Sequence, residues 1–164
     1  MKRRALFTVW AAAGCLAFLL AGCATTVSVR PPLPPAAPAA AVDCDADETE
    51  VKPGRIPDAF VPVIAYRCDQ ILTIATPGAE GPPPAPAPPY AYEGDLSPLV
   101  AALTQPDDPT WDGACALMMI IAADIWLEDP AGTVIRAGHP VDGCGQPKVD
   151  VVNDALNELT LVTP

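Results

Sequence analysis

Apolar positions fall into three kinds of run along this chain: one long block, several short blocks of branched residues, and blocks recurring at helical spacing. Ala5 to Leu20 is the long block, uncharged and preceded by Lys2, Arg3 and Arg4. Phe60 to Tyr66 (FVPVIAY) and Gln70 to Ala75 (QILTIA) are rich in branched residues and predict strands, with Pro62 placing the first at a sheet edge or at its own start. Ser97-Pro98 before LVAAL predicts an N-cap with proline at the first helical position and a short helix to about Thr104. Ala116 to Glu128 (ALMMIIAADIWLE) is the most apolar stretch after the first block. Asp129-Pro130-Ala131-Gly132 then has turn chemistry and Thr133 to Arg136 returns as a strand, which predicts a hairpin. Val151, Val152, Leu156 and Leu159 lie at helical spacing within Pro147 to Leu159, and Thr160 to Thr163 predicts a last strand. The order β, β, α, β, β, α, β predicts an α+β domain: a mostly antiparallel sheet with two helices on one face.

Proline changes the picture in two places, since the 164 residues include 22 of them. Arg30 to Val42 (RPPLPPAAPAAAV) predicts an extended, solvated stalk of roughly 40 Å at about 3.1 Å per residue. A PxxP ligand for a recognition domain is the rival reading of that stretch. Thr76 to Tyr90 (TPGAEGPPPAPAPPY) predicts a long exposed loop interrupting the domain, because proline has no amide to give a helix or a ladder. Tyr90 and Tyr92 at its end either pin that loop to the core or form an aromatic patch.

The first block ends in Leu20-Ala21-Gly22-Cys23, an aliphatic residue and two small ones before a cysteine. With its basic start and apolar run, this segment resembles the export signal and lipobox of bacterial lipoproteins. The resemblance implies cleavage before Cys23 and a diacylglycerol thioether on its sulfur. A membrane-spanning helix is the rival reading of the run. The pair Arg3-Arg4 precedes residues that fit twin-arginine export poorly, and a cut at Cys15 would leave Leu16 to Leu20 as an apolar stub. The expected organisation is therefore a signal peptide at 1–22, a Pro/Ala-rich stalk at 23–42 after the lipidated cysteine, and a small extracytoplasmic domain at 43–164 with its Pro-rich loop at 76–90. The protein would sit on the extracytoplasmic face of the cell membrane, held through its lipid anchor. The segments PDAFVPVIAYRC, ACALMMIIAADIWLEDPAG and PVDGCGQP look like those of lipoproteins from high-GC actinobacteria, in style and order of elements. That likeness implies no activity.

Removing Cys15 with the signal and lipidating Cys23 leaves Cys44, Cys68, Cys115 and Cys144. An even number in an exported domain predicts disulfides, and four cysteines allow three pairings. The hairpin reading puts Cys115 before its first strand and Cys144 after its second, so a Cys115–Cys144 bridge clamps its open end. Cys44–Cys68 then ties the base of the stalk to the end of the first strand. The rival, a metal held by all four thiolates, lacks any CxxC pair.

The formal charge is -11, and loss of Lys2, Arg3 and Arg4 with the signal takes it to -14. No basic cluster follows residue 4, so nucleic-acid binding is not expected. Asp43, Asp45 and Asp47 open like a calcium loop, but Glu48 stands where that loop needs glycine and Gly54 where it needs glutamate. They predict a solvated acidic segment, and Asp107, Asp108 and Asp112 predict turn residues. No metal or other cofactor is expected. The two serines, Ser28 and Ser97, fall in the stalk and at a helix cap, so a hydrolytic triad lacks its nucleophile. The single histidine, His139 in Gly138-His139-Pro140, predicts an exposed turn residue; an enzyme would have to use it as a ligand or proton shuttle. Alternation along the hairpin puts Asp124, Trp126 and Glu128 on one face, the candidate binding face for a sugar or an envelope protein. A tryptophan half-covered by the Pro-rich loop is the competing account. The function expected is a binding or interaction module of the cell envelope, ahead of a small-ligand or metal-binding lipoprotein and of an enzyme using His139.

Overall fold

A computed structural model describes residues 30–46, 49–70, 87–116 and 118–162. The strands are β1 (Pro38–Ala39), β2 (Ile64–Cys68), β3 (Tyr90–Glu93), β4 (Asp124–Glu128), β5 (Val134–Ala137) and β6 (Thr160–Val162); the helices are α1 (Ser97–Leu103) and α2 (Val149–Asn157). All six strands form one antiparallel sheet in the order β1-β5-β4-β2-β3-β6. The chain is thus α+β and mostly sheet, stapled by Cys44–Cys68 and Cys115–Cys144. The export signal, the lipobox, most of the Pro-rich loop and residues 71–75 of the strand expected at Gln70 to Ala75 lie outside the described residues.

Strand alternation sorts the core onto two faces. Ala65, Ile125, Leu127, Ile135 and Ala137 meet Leu99, Ala102 and Leu103 of α1 and Val152, Ala155 and Leu156 of α2. The helices also pack on each other. Each buries an i, i+3, i+4 stripe, and α2 turns Asp150, Asp154 and Asn157 outward. Ser97 is the first helical residue rather than the cap: Leu96 takes the N-cap position without a side-chain cap, and just ahead of it Asp95 Oδ1 accepts the Ser97 amide at 3.0 Å. Hydrogen bonds from the Ser97 hydroxyl and amide hold the Asp95 carboxyl below its usual range.

The opposite face carries Tyr66, Cys68, Trp126, Val134 and Arg136, flanked by Ala39 of β1 and covered by Val42, Cys44, Ala46 and Val51. Arg136 is 2% exposed, a burial that a cation tolerates only with acceptors around it. Its Nη2 and Nε reach the two carboxylate oxygens of Asp124 at 2.7 and 3.2 Å, and its Nη1 donates to the carbonyls of Val51 and Ala46 at 2.9 and 3.3 Å. The guanidinium carbon stands 5.9 Å from the centroid of the Trp126 ring, opposite it in the β4–β5 register. Cys44–Cys68 closes the same layer onto the end of β2.

This layer overturns the stalk. Beyond Pro34 the segment expected as a free spacer is docked: the Ala36 amide donates to Arg55 O and the Arg55 amide to Pro34 O, both at 2.8 Å. Ala36 is buried, and β1 pairs with β5 as an edge strand, where proline is admissible. Gly54 is needed there, since a Cβ at that position would stand 2.5 Å from the Ala36 backbone. Two other expectations shift, while Tyr92 does pack on the core as one of its two readings had it. β2 starts at Ile64, beyond Pro62, and is an inner strand of the sheet. The run from Ala116 becomes strand only at Asp124. Tyr90 and Tyr92 belong to β3, with Tyr92 against the core and Tyr90 at 39% exposure.

Asp124→Ala strips Arg136 of its carboxylate and leaves a buried cation half-satisfied. It should lower unfolding stability by about 3 to 5 kcal/mol in a urea titration. A loss under about 1 kcal/mol would place the pair among ordinary surface bridges.

Candidate functional site

The expected binding face is consumed inside the fold. Trp126 is fully buried, Asp124 is paired with Arg136, and Glu128 Oε2 accepts the Tyr66 hydroxyl at 2.6 Å. That hydrogen bond, with burial and the Glu128 charge behind it, pushes the Tyr66 hydroxyl up to about 12. The side chains do share one face, as alternation requires, but Val42, Cys44, Ala46 and Val51 lie over it. Arg136 was missed as the centre of this cluster. Its signal was available: a turn pairing Glu128 with Val134 puts Arg136 opposite Trp126 and diagonal to Asp124.

His139 is not an exposed turn residue. Its Nε2 lies 2.9 Å from Ala123 O, and because a carbonyl only accepts, Nε2 carries the proton. Nδ1 is then a bare lone pair, buried and without a partner among the described residues. Burial lowers the basicity of the ring, while the Ala123 hydrogen bond and the Asp124 charge partly offset it. His139 lines two clefts. One, of about 150 Å³, is lined by Leu33, Arg55, Leu103 and Asp107; the other, of about 200 Å³, by Arg67, Asp69, Val149 and Asn153. Both fall short of the roughly 300 to 1,000 Å³ that a cofactor-sized ligand occupies.

Among the described residues of the acidic clusters only Asp43 serves a local turn; Asp107 and Asp108, expected as turn residues, instead hold the distant 141–148 segment. Asp43 Oδ1 accepts the Asp45 amide; Asp107 Oδ1 accepts the Val141 amide; Asp108 pairs with Lys148 at 2.6 Å. Asp47 lies outside the described residues. No group of three or more His, Cys, Asp or Glu side chains suited to a metal occurs among the described residues.

What remains is an apolar lip. The unpaired part of the Ala116–Glu128 run leaves Met118, Met119 and Ile121 exposed by 63, 84 and 41%, and Trp111 by 60%. The lip is tied down on one side. The Trp111 amide donates to Gly143 O and the Asp108 amide to Val141 O, while Cys115–Cys144 joins the two segments. Asp142 shapes the second segment by accepting the Cys144 and Gln146 amides, each at 2.8 Å. A signal for the lip was present in the sequence, because thirteen residues exceed the usual five or six of a strand. No family model, curated protein or solved structure matches this chain.

The histidine yields a signed expectation. Its folded pKa is depressed, so the unfolded chain takes up its proton first, near pH 6.5. The His139 contribution is complete above that pH and is lost as pH falls from there toward the folded pKa. Urea midpoints at pH 7.5 and 5.5 should therefore differ less in His139→Gln than in the parent. An equal difference in both would show that the ring titrates freely.

Proposed function

We propose that the protein is a lipoprotein tethered through Cys23 to the extracytoplasmic face of the cell membrane, and that its domain is an interaction module of the envelope. The observation that carries the reading is the apolar lip. Exposed methionines and a tryptophan beside a disulfide form a surface that solvent disfavours and that an apolar partner can cover. Two disulfides accord with an oxidising compartment. The small clefts beside His139 and the internal engagement of Asp124, Trp126 and Glu128 give the ligand-binding and enzymatic alternatives less to build on.

Metabolic labelling with an alkyne palmitate should mark the parent protein in the membrane fraction and leave Cys23→Ala unmarked. Label on Cys23→Ala, or none on the parent, would contradict the anchor. Photo-methionine then reads the module: with Met1 lost in the signal, Met118 and Met119 are the methionines left. Irradiated cells should yield adducts on the anchored protein and few on its Met118→Leu/Met119→Leu variant. An anchored protein free of adducts would count against the lip as a contact surface.

A further inference from the structure

The described chain begins beside the lip. The Arg30 guanidinium packs on Gly145: a Cβ there would stand 2.8 Å from its Nη2, and the φ of +83° also favours glycine. Gly145 adjoins Cys144, which is bonded to Cys115, three residues before Met118. Two residues before Gly145, Gly143 receives the Trp111 amide at 2.8 Å and would bring a Cβ within 3.2 Å of the Trp111 Cβ. Arg30, Trp111 and the start of the Met118-Met119 segment therefore gather around one disulfide.

The length of chain before Arg30 limits what can lie opposite that corner. Seven peptide units join Cys23 to Arg30, a span of about 25 Å at most even when fully drawn out. Because the chain beyond Pro34 is docked on the domain, it adds no further reach. Acyl chains on Cys23 would hold the Arg30 corner within that distance of the lipid, where even a weak contact gains from high effective concentration. Trp111, Met118 and Met119 suit the headgroup boundary, tryptophan above all, since its ring is apolar and its N–H wet. We infer that the domain rests with this lip against the bilayer that carries its own anchor, with Trp111, Met118 and Met119 at the level of the lipid headgroups. The inference rests on the lipoprotein reading above. The charge of the mature chain favours a zwitterionic surface over an anionic one.

Tryptophan fluorescence tests it, because loss of Trp10 with the signal leaves one exposed tryptophan, Trp111, and one buried, Trp126. The lipidated mature protein is reconstituted into phosphatidylcholine vesicles with plain or brominated acyl chains, and its attachment is checked by flotation. The expected result is that brominated lipid removes the Trp111 share of the emission and spares that of Trp126. Trp111→Phe should abolish the quenching, and Met118→Ser/Met119→Ser or added phosphatidylglycerol should weaken it. These substitutions fall on exposed side chains and leave the core intact. Equal emission from plain and brominated vesicles, with the protein floating, would overturn the lip-down contact while the anchor stood. Protein that fails to float would remove the anchor and this inference with it.

Discussion

A buried arginine has to be surrounded by acceptors, and Arg136 sets that requirement for one whole side of the sheet. Asp124 meets two of its donors from the neighbouring strand. The Arg136 Nη1 is met instead by the Ala46 and Val51 carbonyls. Without those carbonyls the cation would be left partly unsatisfied at a cost of several kcal/mol. The chain before β2 therefore crosses this face, and in crossing it brings Val42, Ala46 and Val51 over Trp126. Cys44–Cys68 holds the crossing in place. Helices cover one face and this N-terminal layer the other.

That arrangement governs how the domain meets its surroundings. Ala36, Gly54 and Arg55 interlock by backbone hydrogen bonds, and Gly54 continues the linkage to the end of β5 through Arg136 O and Gly138 N. A segment whose composition suits a spacer thus becomes an edge strand and a cover. The free tether shortens, and the corner at Arg30 comes to lie next to a long apolar stretch that the sheet leaves unpaired. Surface chemistry and attachment point coincide at the Cys115–Cys144 bridge.

Local patterns carried most of the fold. The hairpin, both helices and the last strand follow from turn chemistry and helical spacing, decided by residues near in sequence, while both disulfides follow from where the cysteines stand relative to the strands, 24 and 29 residues apart. Long-range pairing decided what was missed. Nothing within Arg30 to Val42 says that Arg55, thirteen residues beyond Val42, will offer it hydrogen bonds, and proline content pointed the other way. The Asp124, Trp126 and Glu128 face was right in its alternation and wrong in its exposure, because the cover comes from residues more than seventy positions earlier. His139 misled for a related reason: a Gly-His-Pro turn looks solvated until Ala123 O is found beside it. The lip was hidden inside a run that hydrophobicity alone assigned to a strand.

Amide hydrogen exchange of the mature protein, read residue by residue, tests the docking of the N-terminal segment most directly. The amides of Ala36, Gly54 and Arg55 each have a backbone acceptor. They should be protected to a degree comparable with β4 and β5, and should lose that protection in Arg136→Met well before the helices do. Exchange of these three amides at the rate of an unstructured peptide in the parent protein would contradict the account and return the segment to a free stalk.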